Sequence, residues 1–181
     1  KVTQNLNQAK KNRNLTNKIS FDNEWTYELE SQIANKGNNC TQISLMHQAE
    51  ADRCHKWDRG LAYIGITLSV FLMGLQLTII IKPNEILNYI SMGLILIQSV
   101  IIGIAQFSNF SDNKIENLSF AADFDIMREE IIEELTRDRS KRRPALEYQK
   151  YINEGFNKVK KNSPYVSKKF RDKYDNERID V

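Results

Sequence analysis

The chain has little of what most enzymes and metalloproteins need. Its 181 residues hold two cysteines, two histidines and three prolines. Cys40 and Cys54 cannot build a disulfide framework. His47 and His55 lie eight residues apart on one expected helix, and there is no glycine-rich phosphate loop, HExxH or GxSxG. Acidic pairs occur only on helix faces that read as surface. Neither catalysis nor a cofactor is expected. Cys40, His47 and Cys54 fall at i, i+7 and i+14, which is one stripe of a continuous helix. Two turns apart, such groups are separated by ~10 Å and cannot share one ion. The stripe therefore reads as packing, and no metal is expected even with His55 nearby.

Charge is missing from two long stretches. None occurs in residues 61–81 or 86–107, and between Arg59 and Asp112 only Lys82 and Glu85 are charged. Runs of this length reach across a bilayer core of ~30 Å as helices. Neither run has the polar face of a soluble-bundle helix. Two transmembrane helices joined at IIIKPNEIL (residues 79–87) are the favoured reading, with a buried soluble hairpin as the alternative. Residues 1–20 have no apolar core of the kind a cleaved signal carries.

Arg53, Lys56 and Arg59 precede the first run and Lys114 follows the second, against one Lys in the connection. This bias puts both tails in the cytosol and residues 82–85 on the opposite side. Trp57, Tyr63 and Tyr89 lie near the ends of the runs, at headgroup depth. So short a connection makes the spans antiparallel neighbours. Counted outward from its centre, Gly74 matches Gly93, Gly65 nearly matches Gly103, and Ser69 matches Gln98 and Ser99. Small residues let helices approach closely in lipid, and a polar side chain there seeks a partner. A close hairpin is expected, with glycines at two levels and Gln98 satisfied between them. Gln76 offers an oligomer contact or a pore lining as the alternative. With no ionisable group inside either run, an ion-coupled transporter is poorly supported.

The expected fold is all-α: a two-helix transmembrane hairpin with N- and C-terminal helices forming a bundle on one side of the membrane. Its parts are a polar arm (1–22), N-terminal helices (23–60), the hairpin (61–81, loop 82–85, 86–107) and a C-terminal helical region (108–181). Asp22 is expected to cap a helix over 23–36 that ends at Gly37, with a second helix starting near Thr41 and running into the first span. After the second span a long amphipathic helix is expected to stop around Ser140, ahead of Pro144. An aromatic-rich helix follows, then SPYV and a charged helix near residues 168–178. The basic run RDRSKRR (137–143) suggests a salt-bridged corner or a protein-docking tip, with a lipid- or nucleic-acid-binding patch as the remaining alternative; Arg137, Arg139, Lys141, Arg142 and Arg143 are the docking candidates. Beyond residue 107 there are 16 Lys plus Arg against 15 Asp plus Glu. That balance is not a nucleic-acid footprint, and nucleic acid is not an expected partner.

The order of elements resembles the two-transmembrane SLATT-type proteins, in the version found in large nucleocytoplasmic DNA viruses. The similarity runs over residues 24–174. It rests on NEWTYELE, on MHQAEADRCHKWDRGLAYIGITLS (46–69), on NLSFAADFDIMREEIIEEL (117–135) and on RSKRRPALEYQKYINEGFNKVKKNSPYVSKKF (139–170). Where the viral version often has a proline early in the first span, this chain has Ile64. Val166 replaces a second proline after Ser-Pro, and Asn117 and Leu118 stand where a histidine is common. For the viral version the resemblance implies a structural protein of an internal virion membrane or a host-derived membrane. Lipid and other virion or minor capsid proteins would be its partners, with no small-molecule substrate. For cellular members it implies a membrane effector that forms pores as an oligomer.

Overall fold

The computed structural model describes residues 24–176. In chain order the helices are α1 (Tyr27–Ile81), α2 (Glu85–Phe107), α3 (Phe110–Thr136), a 3-10 turn (Arg139–Lys141), α4 (Ala145–Asn162) and α5 (Lys168–Asn176). No strand occurs among the described residues. Thr26 caps α1 by accepting from the Leu29 amide, and Asn84 caps α2 by accepting from the Ile86 amide. With 55 residues, α1 is about 80 Å long.

The sequence is expected to break this helix at Gly37, and the structure does not. Gly37 is buried inside α1, and a Cβ placed there would lie 3.3 Å from Ile131 Cγ2. Its small size serves a close approach of α3 rather than a helix end. Asp22, the expected cap, lies outside the described residues, as does the whole polar arm (1–22).

Shielded positions on α1 recur at steps of four, three or their sum: Ile33, Gly37, Cys40, Ser44, His47, Ala51 and Cys54, then Leu61, Leu68, Leu72, Leu75 and Ile79. A repeat of 3.5 residues keeps one seam turned towards a partner helix along its whole length. The partner is the returning pair α2 and α3. On α2 the seam holds Leu87, Ser91, Leu94, Gln98 and Ile101; on α3 it holds Lys114, Asn117, Ala121, Phe124, Arg128 and Ile131. Between the two helices Asn109 takes the left-handed conformation, φ 44. Asparagine tolerates that conformation better than most residues.

Pairs across the seam give the register. Gln76 meets Ser91, and seven residues further along each helix Ser69 meets Gln98. Twelve further, Trp57 stacks on Phe110, and twenty beyond that Gly37 meets Ile131 within one residue of the same count. The break at Asn109 therefore leaves the axial pairing intact.

The distal part of α1, α3 and α4 share a core of Trp25, Ile33, Cys40, Phe124, Met127, Ile131, Ala145, Tyr148, Ile152 and Phe156. The runs at 61–81 and 86–107 are different. They are long and apolar enough to cross a membrane, yet only 11% and 6% of their most apolar windows are buried within the chain. Leu96, Ile80 and Phe107 are 69%, 74% and 90% exposed. This disfavours the buried soluble hairpin, because nothing among the described residues covers these surfaces.

Because Gly37 meets Ile131, enlarging it tests the packing of the seam. Gly37→Val should destabilise the α1–α3–α4 unit by about 1–3 kcal/mol through overpacking. In Gly37→Ala the gain in helix propensity, up to about 1 kcal/mol, should offset most of the crowding. Denaturant unfolding monitored at Trp25 separates the two.

Candidate functional site

Three polar clusters organise the surface and the joints of the molecule. The first closes the distal tip. Trp25 Nε1 donates to Arg143 O (2.9 Å), and the Arg142 guanidinium lies 5.0 Å from the Trp25 ring centre. Arg139 grips Glu30 with two bonds, 2.8 and 2.9 Å, and Arg142 adds a third at 2.5 Å. Arg142 also donates to the carbonyls of Leu135 (2.6 Å) and Arg137 (2.8 Å), which the end of α3 leaves free. The buried Glu134 carboxylate accepts from the Arg143 amide (2.6 Å) and from Arg137 (3.1 Å). Arg137 also meets Glu133, and Lys141 faces Asp138 at 3.5 Å.

All five docking candidates of the basic run are thus engaged within the chain. Pro144 sets where the run ends and the next helix starts. The chain leaves helical conformation after Thr136, and Pro144 stands immediately before α4, where its missing amide hydrogen is harmless. The run between them folds back across the start of α1.

The second cluster was not anticipated. Asn117 Nδ2 donates to Asn113 O (2.7 Å), so its Oδ1 faces His47 Nδ1 at 2.8 Å and accepts. His47 Nδ1 therefore carries a proton, and Nε2 pairs with the Ser163 hydroxyl at 2.7 Å. The connectivity imitates a serine–histidine–asparagine relay. However, His47 is 1% exposed and lies against the rings of Phe124 and Phe120, so no substrate reaches it. The relay joins α1, α3 and the segment after α4. Nearby, the Ser167 amide donates to Glu50 Oε2 (3.1 Å), and Glu50 also holds Arg53; this anchors the start of α5 to α1. The signals lay in plain view as the Met-His and Ser-Pro pairs, but nothing in their local spacing says that they meet.

The third cluster is in the apolar hairpin. Gln98 Nε2 donates to Ser69 Oγ (2.5 Å), which donates to Gly65 O (2.8 Å). Gln76 Nε2 donates to the buried Ser91 hydroxyl (3.3 Å), which in turn donates to Asn88 O. The glycines require a correction. A Cβ at Gly65, Gly74, Gly93 or Gly103 would have no neighbour within 4 Å, so no partner helix closes on them. Counting from the loop gives depth but not direction. Gly74 and Gly93 are exposed, and Gly65 borders a groove of about 530 Å³ also lined by Ala62, Ser69, Gln98, Ile101 and Ala105.

The cysteines are confined. Burial pushes the Cys40 thiol up to about 11 and raises that of Cys54. At neutral pH both are protonated and poor nucleophiles or ligands. Among the described residues, no three His, Cys, Asp or Glu side chains gather as a metal site would need.

The tip should loosen in acid. The Glu30 carboxyl is held below its ordinary 4.5, first by the hydrogen bond from Arg139, with Arg142 adding to it against the opposing effect of burial. A lowered folded-state pKa contributes stability above 4.5, and this is lost as pH falls through the folded-state value. In a Trp57→Phe background, Trp25 emission should shift as pH drops below 4.5. Glu30→Gln should show the loosened signal already at pH 7 and a flatter acid transition. An acid transition unchanged by that substitution would contradict the assignment.

Compared with known protein families, curated proteins and solved structures, the chain matches none.

Proposed function

We propose that the chain is a membrane-anchored structural protein. The apolar half of α1 and α2 hold the bilayer. The turn at residues 82–85 lies on one side, and a helical bundle with both termini lies on the other. The bundle serves as a head that docks neighbouring proteins. In the setting to which the resemblance points, the bilayer is the internal membrane of a large DNA virus and the neighbours are capsid-associated proteins. The observation that carries this reading is the unbroken register of the seam. Gln76–Ser91 and Ser69–Gln98 in the hairpin belong to the same pairing as Trp57–Phe110 and Gly37–Ile131 beyond it. A head joined to its anchor in this way transmits load to lipid without an intervening flexible linker. A pore is the weaker reading, because Gln76 and Gln98, two of the three glutamines of the spans, are bonded within a single hairpin rather than left to line a lumen.

Purified particles tested by mass spectrometry should contain the protein, and crosslinking should join its head to capsid-associated neighbours. A cysteine introduced at Asn84 should label only from the side opposite to one introduced at Tyr27. Absence from purified particles overturns the virion role. Dye leakage from phosphatidylcholine liposomes at low protein-to-lipid ratio would favour the effector reading instead.

A further inference from the structure

The outer face of α3 is apolar where it should be polar. Ile115, Leu118, Ala122 and Ile126 follow one another at steps of three, four and four, opposite the seam residues Asn117, Ala121, Phe124 and Ile131. Ile115, Leu118 and Ile126 are 63%, 43% and 58% exposed. The spacing is that of a second helix–helix seam with nothing on it among the described residues. Lipid does not account for it. Ile126 lies nineteen residues beyond Phe107, a rise of about 28 Å, well clear of the apolar run.

Charge identifies what would cover it. Helix α3 carries eight acids and two bases, Lys114 and Arg128. Asp112, Glu116 and Asp123 line one edge of the stripe, and Glu129 stands at its upper end. None of these four is in an ion pair among the described residues. A second copy would set eight acids against eight, and an anionic leaflet would be repelled in the same way. We propose that this stripe is the docking face of the head and that its partner is a basic amphipathic helix of another protein. That helix would be about three turns long, with apolar residues at 3–4 spacing flanked by Lys or Arg. The inference rests on the reading of the head as a docking module and names its partner's chemistry.

The test uses the full chain in phosphatidylcholine nanodiscs, which do not themselves attract cations. The probes are a synthetic peptide of about three heptads with leucine on the seam and lysine on both flanks, and a twin carrying glutamate in place of lysine. Fluorescence anisotropy should show saturable binding of the lysine peptide, roughly tenfold or more tighter than that of the twin. Ile115→Ser with Ile126→Ser keeps every acid and should weaken binding by about tenfold. Asp112→Asn with Glu116→Gln and Asp123→Asn keeps the apolar stripe and should weaken it comparably and flatten its salt dependence. Circular dichroism checks that each variant folds. Equal binding of both peptides, or binding unaffected by the serine pair, overturns the proposal. So does a dimer in analytical ultracentrifugation that the serine pair dissolves, which would make a second copy the occupant. Failure here with particle association intact would refute the docking face alone, whereas loss of particle association would refute the broader function.

Discussion

The seam between α1 and the returning pair α2–α3 is the constraint on which the other features depend. It runs with a 3.5-residue repeat from Ile33 to Ile79 on one helix. In the distal half it buries apolar side chains away from water, which is ordinary hydrophobic burial. In the hairpin that driving force is absent if lipid surrounds the helices, because lipid tails are as apolar as leucine. There the pairing relies on close contacts and on two hydrogen-bonded pairs, Ser69–Gln98 and Gln76–Ser91. One geometry thus serves two environments, and the two halves hold each other in register.

Everything distal is secured to this pair of helices. The tip clasp joins the start of α1 to the turn before α4 through Glu30 and its two arginines. The Asn117–His47–Ser163 relay does the same where α4 ends, and Glu50 receives the start of α5. In the relay, where His47 and Asn117 are buried, truncating one member leaves the others without a partner, which is more damaging than the net worth of any single bond. These joints hold α4 against the seam at both ends. They also leave the outer face of α3 as a broad apolar surface that no element among the described residues covers.

Much of the architecture was legible in the residues. The uncharged runs gave the two apolar helices and their turn, and Pro144 placed the start of α4. Cys40, His47 and Cys54 at seven-residue steps were a fragment of the seam itself. What misled was local chemistry read without its partner. Gly37 looks like a helix terminator until Ile131 arrives beside it. Gly74 and Gly93 share a depth but face away from each other, because a count along two helices fixes height and leaves rotation free. RDRSKRR forms the salt-bridged corner that its charges suggest, but one of its partners, Glu30, lies 109 residues from Arg139 and cannot be read from the run itself. The Gly37–Ile131 approach and the Asn117–His47–Ser163 relay are contacts between residues distant in sequence, which periodicity alone cannot supply.

Cysteine crosslinking in the bilayer tests the single register most directly. With Cys40 and Cys54 replaced by alanine, oxidation should join Ser69→Cys to Gln98→Cys and, outside the apolar run, Trp57→Cys to Phe110→Cys. Gly74→Cys and Gly93→Cys, level with each other but turned outward, should remain unjoined within one chain. Efficient joining of the glycine pair, with loss of either seam pair, would mean that the hairpin is rotated relative to the head and would contradict the continuous seam.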